Sequence, residues 1–512
     1  MLITELIHQN TSQKLSHSAF LQAGKHTSYQ EFFNLVSQLS FFYREHIGYQ
    51  SRVALFSQQH ITLAASFLAL SHLRCTSIWI DSDLPTPELK TWLSSSKATH
   101  LLVLPAQLRK AKALLKETHL DLKIIEIQEP LKDSNDTAWT ADPEQTPQEN
   151  DPILLVRTAG LTGPHKYIAF DHQQISAAIQ IIRDAYHLRS DDRAFTSLPW
   201  SHPFALIHAL LLPLSSGITC ILTPPLEMRA LLEFLLRSNV TRLIGTPPFF
   251  YQILLLQSRT QIILPSLRSV TVGLGFLSLE LRRTFQLLNV SVCQVYGQAE
   301  ALWTIAMEMC PSGDEKVSQK TEASRGFVGK ALPGVKYKIL DQKGHELEVT
   351  GSAQGALAVS GPMIMKGYED LTQETQLVLR GNWLHTGDIV KLHKVGSESY
   401  LNYLGRASEF ELSHFKFDLL SRIDQVLKNI PTLKDCTSFF LKTSNDQVIL
   451  LIAAVQAQRV QTSEQEILNH CKTELSQDMI PQAVVFTDEI PRDLGGNPIY
   501  SQLRAKFASL SL

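Results

Sequence analysis

The chain has 512 residues, 44% hydrophobic and 19% charged, which describes a core-forming globular protein. At ~150 residues per domain there is room for three or so units, or for one large and one small. Lys plus Arg total 47 against 49 Asp plus Glu, so no overall basic field invites nucleic acid.

In chain order, the first third alternates strand and helix signals. RVALF (52–56), TSIWI (76–80), HLLVL (100–104) and LKIIEI (122–127) are short apolar strands. Helical spacing fills HITLAASFLALSHL (60–73) and the Leu- and Lys-rich stretches between strands. This alternation predicts a mainly parallel sheet with crossover helices. Residues 128–151 hold seven acidic residues, one lysine and three prolines, and read as a solvated loop. ILLVRT (153–158) is a strand that feeds a glycine-containing turn. Near residue 405 the pattern changes: a helix (419–429), strands at 436–442 and 447–455, a helix (463–475) and a strand near 482–487 follow. That is one small α+β domain, which sets a boundary between 404 and 405.

The opening MLITELIHQN lacks the basic and apolar succession of a signal peptide. The longest apolar run, 207–222, is broken by His208, Pro213 and Gly217 and is too short to span a bilayer. Six scattered cysteines argue against a disulfide framework and a zinc site, so a reducing, cytoplasmic setting is expected.

The strand at 153–158 runs into Arg157-Thr158-Ala159-Gly160-Leu161-Thr162-Gly163-Pro164-His165-Lys166. Glycines let backbone amides approach phosphate oxygens, and a lysine adds charge. The spacing is not that of a Walker A loop. Taken alone, the segment is equally an ordinary turn. Four further segments follow in order: Leu198-Pro199-Trp200-Ser201-His202, Val295-Tyr296-Gly297-Gln298-Ala299-Glu300, Trp383-Leu384-His385-Thr386-Gly387-Asp388 and Gly405-Arg406. Together they resemble the adenylate-forming superfamily of acyl-CoA synthetases, aryl-acid ligases, luciferases and peptide-synthetase adenylation domains. The segments 266–278, 326–341 and 355–368 agree with it, the last two as barrel strands.

The resemblance implies an α/β fold. A large N-terminal domain (1–404) of βαβ subdomains carries a distorted β-barrel, and a small mobile C-terminal domain (405–512) follows. It implies ATP and Mg²⁺, with CoA or a carrier-protein phosphopantetheine as thiol acceptor and an acyl carrier protein as a candidate partner. Thr158, Gly160, Thr162, Gly163 and Lys166 would form the loop over the β- and γ-phosphates. Tyr296, beside Gly297, would stack on adenine opposite the Gly273–Gly275 backbone. Glu300, with Thr162, would hold Mg²⁺. Asp388 would take the ribose hydroxyls, and Arg406 would reach the nucleotide. His202 would stand between acid and nucleotide. Phe249, Phe250, Leu274, Phe276, Leu302, Trp303 and Ile305 would wall the acid pocket. These walls are apolar, and His202 replaces the Asp that pairs with an amino-acid ammonium, which implies a fatty or aryl acid.

The chain departs from the family pattern in places. Ala159, Leu161, His165, Tyr167 and Ala299 replace familiar loop and motif residues. Ser408 falls at the hinge, and Phe415 falls where a glycine lines the thiol path. Asn497, in Pro491-Arg492-Asp493-Leu494-Gly495-Gly496-Asn497-Pro498, stands where the family has its catalytic lysine. Lys506 lies on a helical stretch nine residues on and is no substitute. Two readings stay open: a divergent acid–thiol ligase, and a degenerate member that binds nucleotide or acyl group without turnover.

Overall fold

The computed structural model describes every residue except 57, 128–145, 159–164, 311–325, 397, 408–418, 443–446, 458–461, 494 and 509–512. Most of the acidic loop, and Gly160, Thr162, Gly163, Ser408 and Phe415, therefore lie outside the described residues.

The first third forms a six-stranded sheet in the spatial order Lys123–Glu126, His100–Val103, Arg52–Phe56, Thr76–Ile80, Pro152–Arg157, Tyr167–Asp171. All pairings are parallel except the last, where Arg157 opposes Tyr167. Thr76–Ile80 is buried at every position, with Thr76 and Ser77 at its start and the apolar Ile78, Trp79 and Ile80 after them. The helix Ile61–His72 is buried from Thr62 through Ser71 and so is apolar all round. By contrast, Leu108–Thr118 buries only Ala111, Leu114 and Thr118 and turns its lysines to solvent.

Among the described residues the second sheet has fourteen strands, one of which, Leu379–Arg380, pairs only with Trp383–Val395 off the main order. After an antiparallel edge strand, Lys25–Ser28, its parallel part runs Ser18–Gln22, Thr219–Leu222, Arg193–Thr196, Arg242–Gly245, Ser269–Val272, Ser291–Tyr296. It continues antiparallel through Ala306–Cys310, Phe327–Ala331, Glu398–Arg406, Trp383–Val395, Ser352–Ser360 and Lys336–Leu340. These antiparallel strands occupy the place of the expected barrel; residues 361–368, expected with them, leave the sheet after Ser360. The register pairs Thr196 with Ile244, Ile244 with Thr271 and Val272 with Gln294. Three carboxyl ends thus lie level, and the loops at 197–204, 273–278 and 297–305 leave from one edge. In an open α/β sheet that edge is where ligands bind.

Two cores sandwich this sheet. One holds Trp79, Phe204, Tyr296, Leu302 and Ile305 between the two sheets. The other holds Phe249, Phe250, Leu232 and Phe285 beneath the helices Met228–Arg237, Pro247–Thr260 and Leu279–Leu287. Each fully buried Leu or Phe in them contributes ~1.5–3 kcal/mol against solvent.

The expected boundary falls inside the strand Glu398–Arg406, whose last residue still pairs with Asp388. The next described element is the helix Leu419–Leu427. Beyond it, Leu433–Lys442, Val448–Gln456 and Ala483–Phe486 form a three-stranded sheet with the helices Glu464–Glu474 and Tyr500–Phe507. Lys506 lies on that last helix and donates to Thr487 Oγ1. Among the described residues, no helix is long and apolar enough to cross a membrane.

Candidate nucleotide and acid site

The base of the glycine-containing turn is closed by two hydrogen bonds. Thr158 N donates to Lys166 O at 2.9 Å, and Lys166 N donates to Thr158 Oγ1 at 3.0 Å. His165, one of the departures from the family loop, puts Nδ1 2.7 Å from Thr158 O and ties the loop base further. Arg157 is occupied elsewhere, paired with Glu88 at 3.1 Å and stacked on Trp92. Among the described residues Lys166 has no ion pair: its Nζ sits 4.7 Å from the Tyr368 ring centroid.

Across the cleft, Tyr296 ends a strand and is buried. Its hydroxyl donates to Asp388 Oδ2 at 2.5 Å. Asp388 Oδ1 faces the Arg406 guanidinium at 3.0 Å but has no aligned donor. Arg406 in turn donates to Thr386 O at 2.9 Å, and Thr386 Oγ1 accepts from Asp388 N at 3.1 Å. The strand pairing of Asp388 with Arg406 is what brings these groups together. Burial pushes the Asp388 carboxyl up, opposed by the guanidinium, and the Asp388 carboxylate raises Arg406 well above its ordinary value. Burial likewise raises Tyr296, so its phenol stays a donor.

Glu300 sits in the single turn Ala299–Ala301. Its Oε1 accepts from Tyr368 Oη at 2.7 Å, and Met365 N donates to its backbone oxygen at 2.8 Å. Its second carboxylate oxygen has no hydrogen bond among the described residues. Among the described residues, an open carboxylate oxygen, a lysine held only by a ring face and a buried Asp oxygen without a hydrogen-bond donor fit an Mg²⁺-bound nucleotide. Glu300 would hold the metal, Lys166 the phosphates and Asp388 the sugar hydroxyls.

The expected acid pocket is aromatic. His202 caps a short helix by accepting from Phe204 N at Nδ1, 3.2 Å, which leaves its proton on Nε2. Burial alone pushes His202 down to about 4, so it is neutral. Its ring lies 5.6 Å from Trp303, and Phe204 lies 5.7 Å from Trp303. Leu302 and Trp303 both have left-handed backbones, φ 49° and 56°. Gly297 permits this, because a Cβ there would stand 2.4 Å from Trp303 Cα. At Gly273 a Cβ would meet the Phe204 ring at 2.6 Å. Leu274 and Phe276 line the same region, and Phe276 stacks on Tyr403 at 5.4 Å. Phe249 and Phe250 are not brought to this cluster. Phe249 lies over Gly245, and Phe250 makes an edge contact with Phe285 at 5.8 Å in the other core.

Asn497 arrives on a tight loop of the small C-terminal unit. Its Nδ2 donates to Leu274 O at 2.7 Å and lies 3.1 Å from Asp493 Oδ2. Gly495 makes the approach possible, since a Cβ there would stand 1.7 Å from Leu274 O. Arg492 braces the loop through a two-pronged pair with Asp435 at 2.9 and 2.6 Å. Asn497 is thus committed to docking.

Sequence reasoning missed Tyr368, Thr386, His208 and Asp493. His208 puts Nε2 3.2 Å from Trp303 O and Nδ1 3.2 Å from Tyr186 Oη, and so pins the strained pocket turn. Thr386 and Asp493 do lie inside the quoted segments His385-Thr386-Gly387-Asp388 and Pro491–Pro498, and Tyr368 closes the segment 355–368, but none was given a role there.

This cleft at the carboxyl ends of a doubly wound sheet belongs to an AMP-binding enzyme: the family model so described matches residues 7–369, and the chain is a member of that family. Among curated relatives, it is 23% identical to the indoleacetate–CoA ligase of Aromatoleum aromaticum over 502 residues, covering 96% of this chain and 95% of that one. ATP-bound MatB from Rhodopseudomonas palustris superposes with a TM-score of 0.81 at 19% identity, over 99% of both chains. O-succinylbenzoate Coenzyme A synthetase (MenE) from Bacillus subtilis, solved with ATP and magnesium, gives 0.80 at 20% identity, over 98% of this chain and 99% of that one.

Proposed function

We propose that the protein activates a carboxylic acid with ATP and passes the acyl group to a thiol. The carboxylate oxygen attacks the α-phosphorus, forming a P–O bond as pyrophosphate leaves. A thiolate then attacks the acyl carbonyl, forming the thioester as AMP leaves. Mg²⁺ held by Glu300 would neutralise phosphate charge; Lys166 and Thr158 with the turn between them hold the phosphates; Tyr296, Asp388 and Arg406 fix the nucleoside. The observation that carries this reading is the meeting of two chains, Lys166–Tyr368–Glu300 and Tyr296–Asp388–Arg406, at one sheet edge.

Neutral His202 and the Trp303 and Phe204 rings favour an apolar or aryl acid over an amino acid, because among the described residues no counter-charge for an ammonium is paired with them. CoA is the favoured thiol, since the relative from Aromatoleum is named a CoA ligase; a carrier-protein phosphopantetheine is the other. The unit beyond residue 404 would rotate between the two steps, as one face cannot serve both.

A second reading rests on Asn497. With its amide committed to Leu274 and Asp493, Asn497 supplies no cation, and the chain would bind nucleotide or acyl-adenylate without turnover. Mass spectrometry of a quenched reaction with ATP, Mg²⁺ and a mixture of apolar acids separates the cases. Acyl-AMP supports the ligase, intact ATP the binder, and ADP would overturn both.

A further inference from the structure

The segment Met363–Glu369 leaves the sheet and crosses between Lys166 and Glu300. It is held at several points. Ile364 O accepts from Gln174 Nε2 at 2.5 Å, Met365 N donates to Glu300 O at 2.8 Å, and Glu369 N donates to Tyr167 O at 2.9 Å. Arg52 grips the Glu369 carboxylate with two bonds of 2.8 and 2.7 Å. Gly367 has φ +151°, and Tyr368 N donates to Thr375 Oγ1 at 2.9 Å. These anchors bracket Tyr368 on a fixed backbone, with its ring between the two halves of the phosphate site.

We propose that Tyr368 is a positioning residue for that site: its hydroxyl tethers Glu300 through Oε1, at 2.7 Å, and its ring face parks the Lys166 ammonium, at 4.7 Å, until phosphates claim it. The inference rests on the nucleotide-site reading above. A phenol donating to a carboxylate is a strong, charge-assisted bond. It fixes one oxygen and leaves the other, which has no hydrogen bond among the described residues, available to a metal. A cation over an aromatic face is held weakly enough to be surrendered to a phosphate. Tyr368 thus keeps a buried-edge carboxylate and a loop lysine apart and ready.

Calorimetric titration with ATP, in Mg²⁺ and separately in EDTA, tests this on wild type, Tyr368→Phe and Tyr368→Leu. Tyr368→Phe should raise the Kd for ATP in Mg²⁺ about tenfold, the effect of losing a hydrogen bond to a charged group, and leave the Kd in EDTA unchanged. Tyr368→Leu should lose as much in Mg²⁺ but tighten about threefold in EDTA, because Lys166 is no longer stacked. A merely structural residue would weaken binding equally in both buffers, and that result overturns the inference. So does a Tyr368→Phe protein that binds ATP in Mg²⁺ as wild type does. If Tyr368→Leu fails to fold, the Mg²⁺ difference in Tyr368→Phe decides alone. Wild type silent toward ATP in both buffers overturns the nucleotide-site reading instead.

Discussion

Replacing Asp388 tests the nucleoside end of the site. The carboxylate is 4% exposed and takes a 2.5 Å bond from Tyr296 and a 3.0 Å contact from Arg406, itself one-third exposed. Asp388→Ala leaves a phenol and a guanidinium facing each other without their acceptor. Breaking a fully buried pair costs ~3–5 kcal/mol of stability, and the partial exposure of Arg406 places this one toward the lower end. The lost contact to a sugar hydroxyl weakens ATP binding by a further ~1–3 kcal/mol, a factor of about 5–150 in Kd. Asp388→Asn separates the two effects. It retains an oxygen for Tyr296 and a shape that fits, yet removes the charge facing Arg406. Calorimetry with ATP and Mg²⁺, beside thermal unfolding, should show Asp388→Asn between wild type and Asp388→Ala in melting, because it loses the charge facing Arg406 but keeps an acceptor for Tyr296, and weaker than wild type in binding. Asp388→Ala should be weaker in both. Wild-type ATP affinity in Asp388→Ala would refute the placement of the nucleoside.

Asn497→Lys should raise acyl-AMP formation little, because Asp493, 3.1 Å from the amide, would capture the ammonium; Asn497→Lys with Asp493→Asn should raise it about tenfold, ~1.4 kcal/mol of transition-state stabilisation, in single-turnover assays. Trp303→Ala should broaden the range of acids accepted in a competition assay, and an unchanged ranking would count against the pocket. Burial holds His72, His172, His202 and His208 down to about 4, against the 6.5 of a free side chain. The unfolded chain therefore binds more protons between those values, so the unfolding temperature should fall as pH drops from 6.5 toward 4 and level off below. His208→Gln should shallow that slope.

The strands of the first sheet were legible because burial on both faces leaves a short apolar run, as in Arg52–Phe56, apolar and buried from Val53 to Phe56. The small unit was legible for a similar reason: Val448–Gln456 is buried through its middle, and Glu464–Glu474 opens on the capping box Ser463–Glu466. The motif residues Tyr296, Asp388 and Arg406 do come together, through strand register that no local pattern contains. Contacts across long loops were invisible. Tyr368 meets a carboxylate 68 residues away, and Asn497 meets a carbonyl 223 residues away. Phe249 and Phe250 show a different limit. Which face of the sheet a helix covers is a tertiary choice, and the helix Pro247–Thr260 turns both rings into the outer core.

Exchange of labelled pyrophosphate into ATP, run with fatty, aryl and amino acids in turn, reads the first chemical step directly. Acid-dependent exchange, strongest with an apolar fatty or aryl acid and absent without acid, is the predicted result. Exchange strongest with a free amino acid would contradict the pocket, and no exchange with any acid, by a protein that binds ATP, would contradict the ligase.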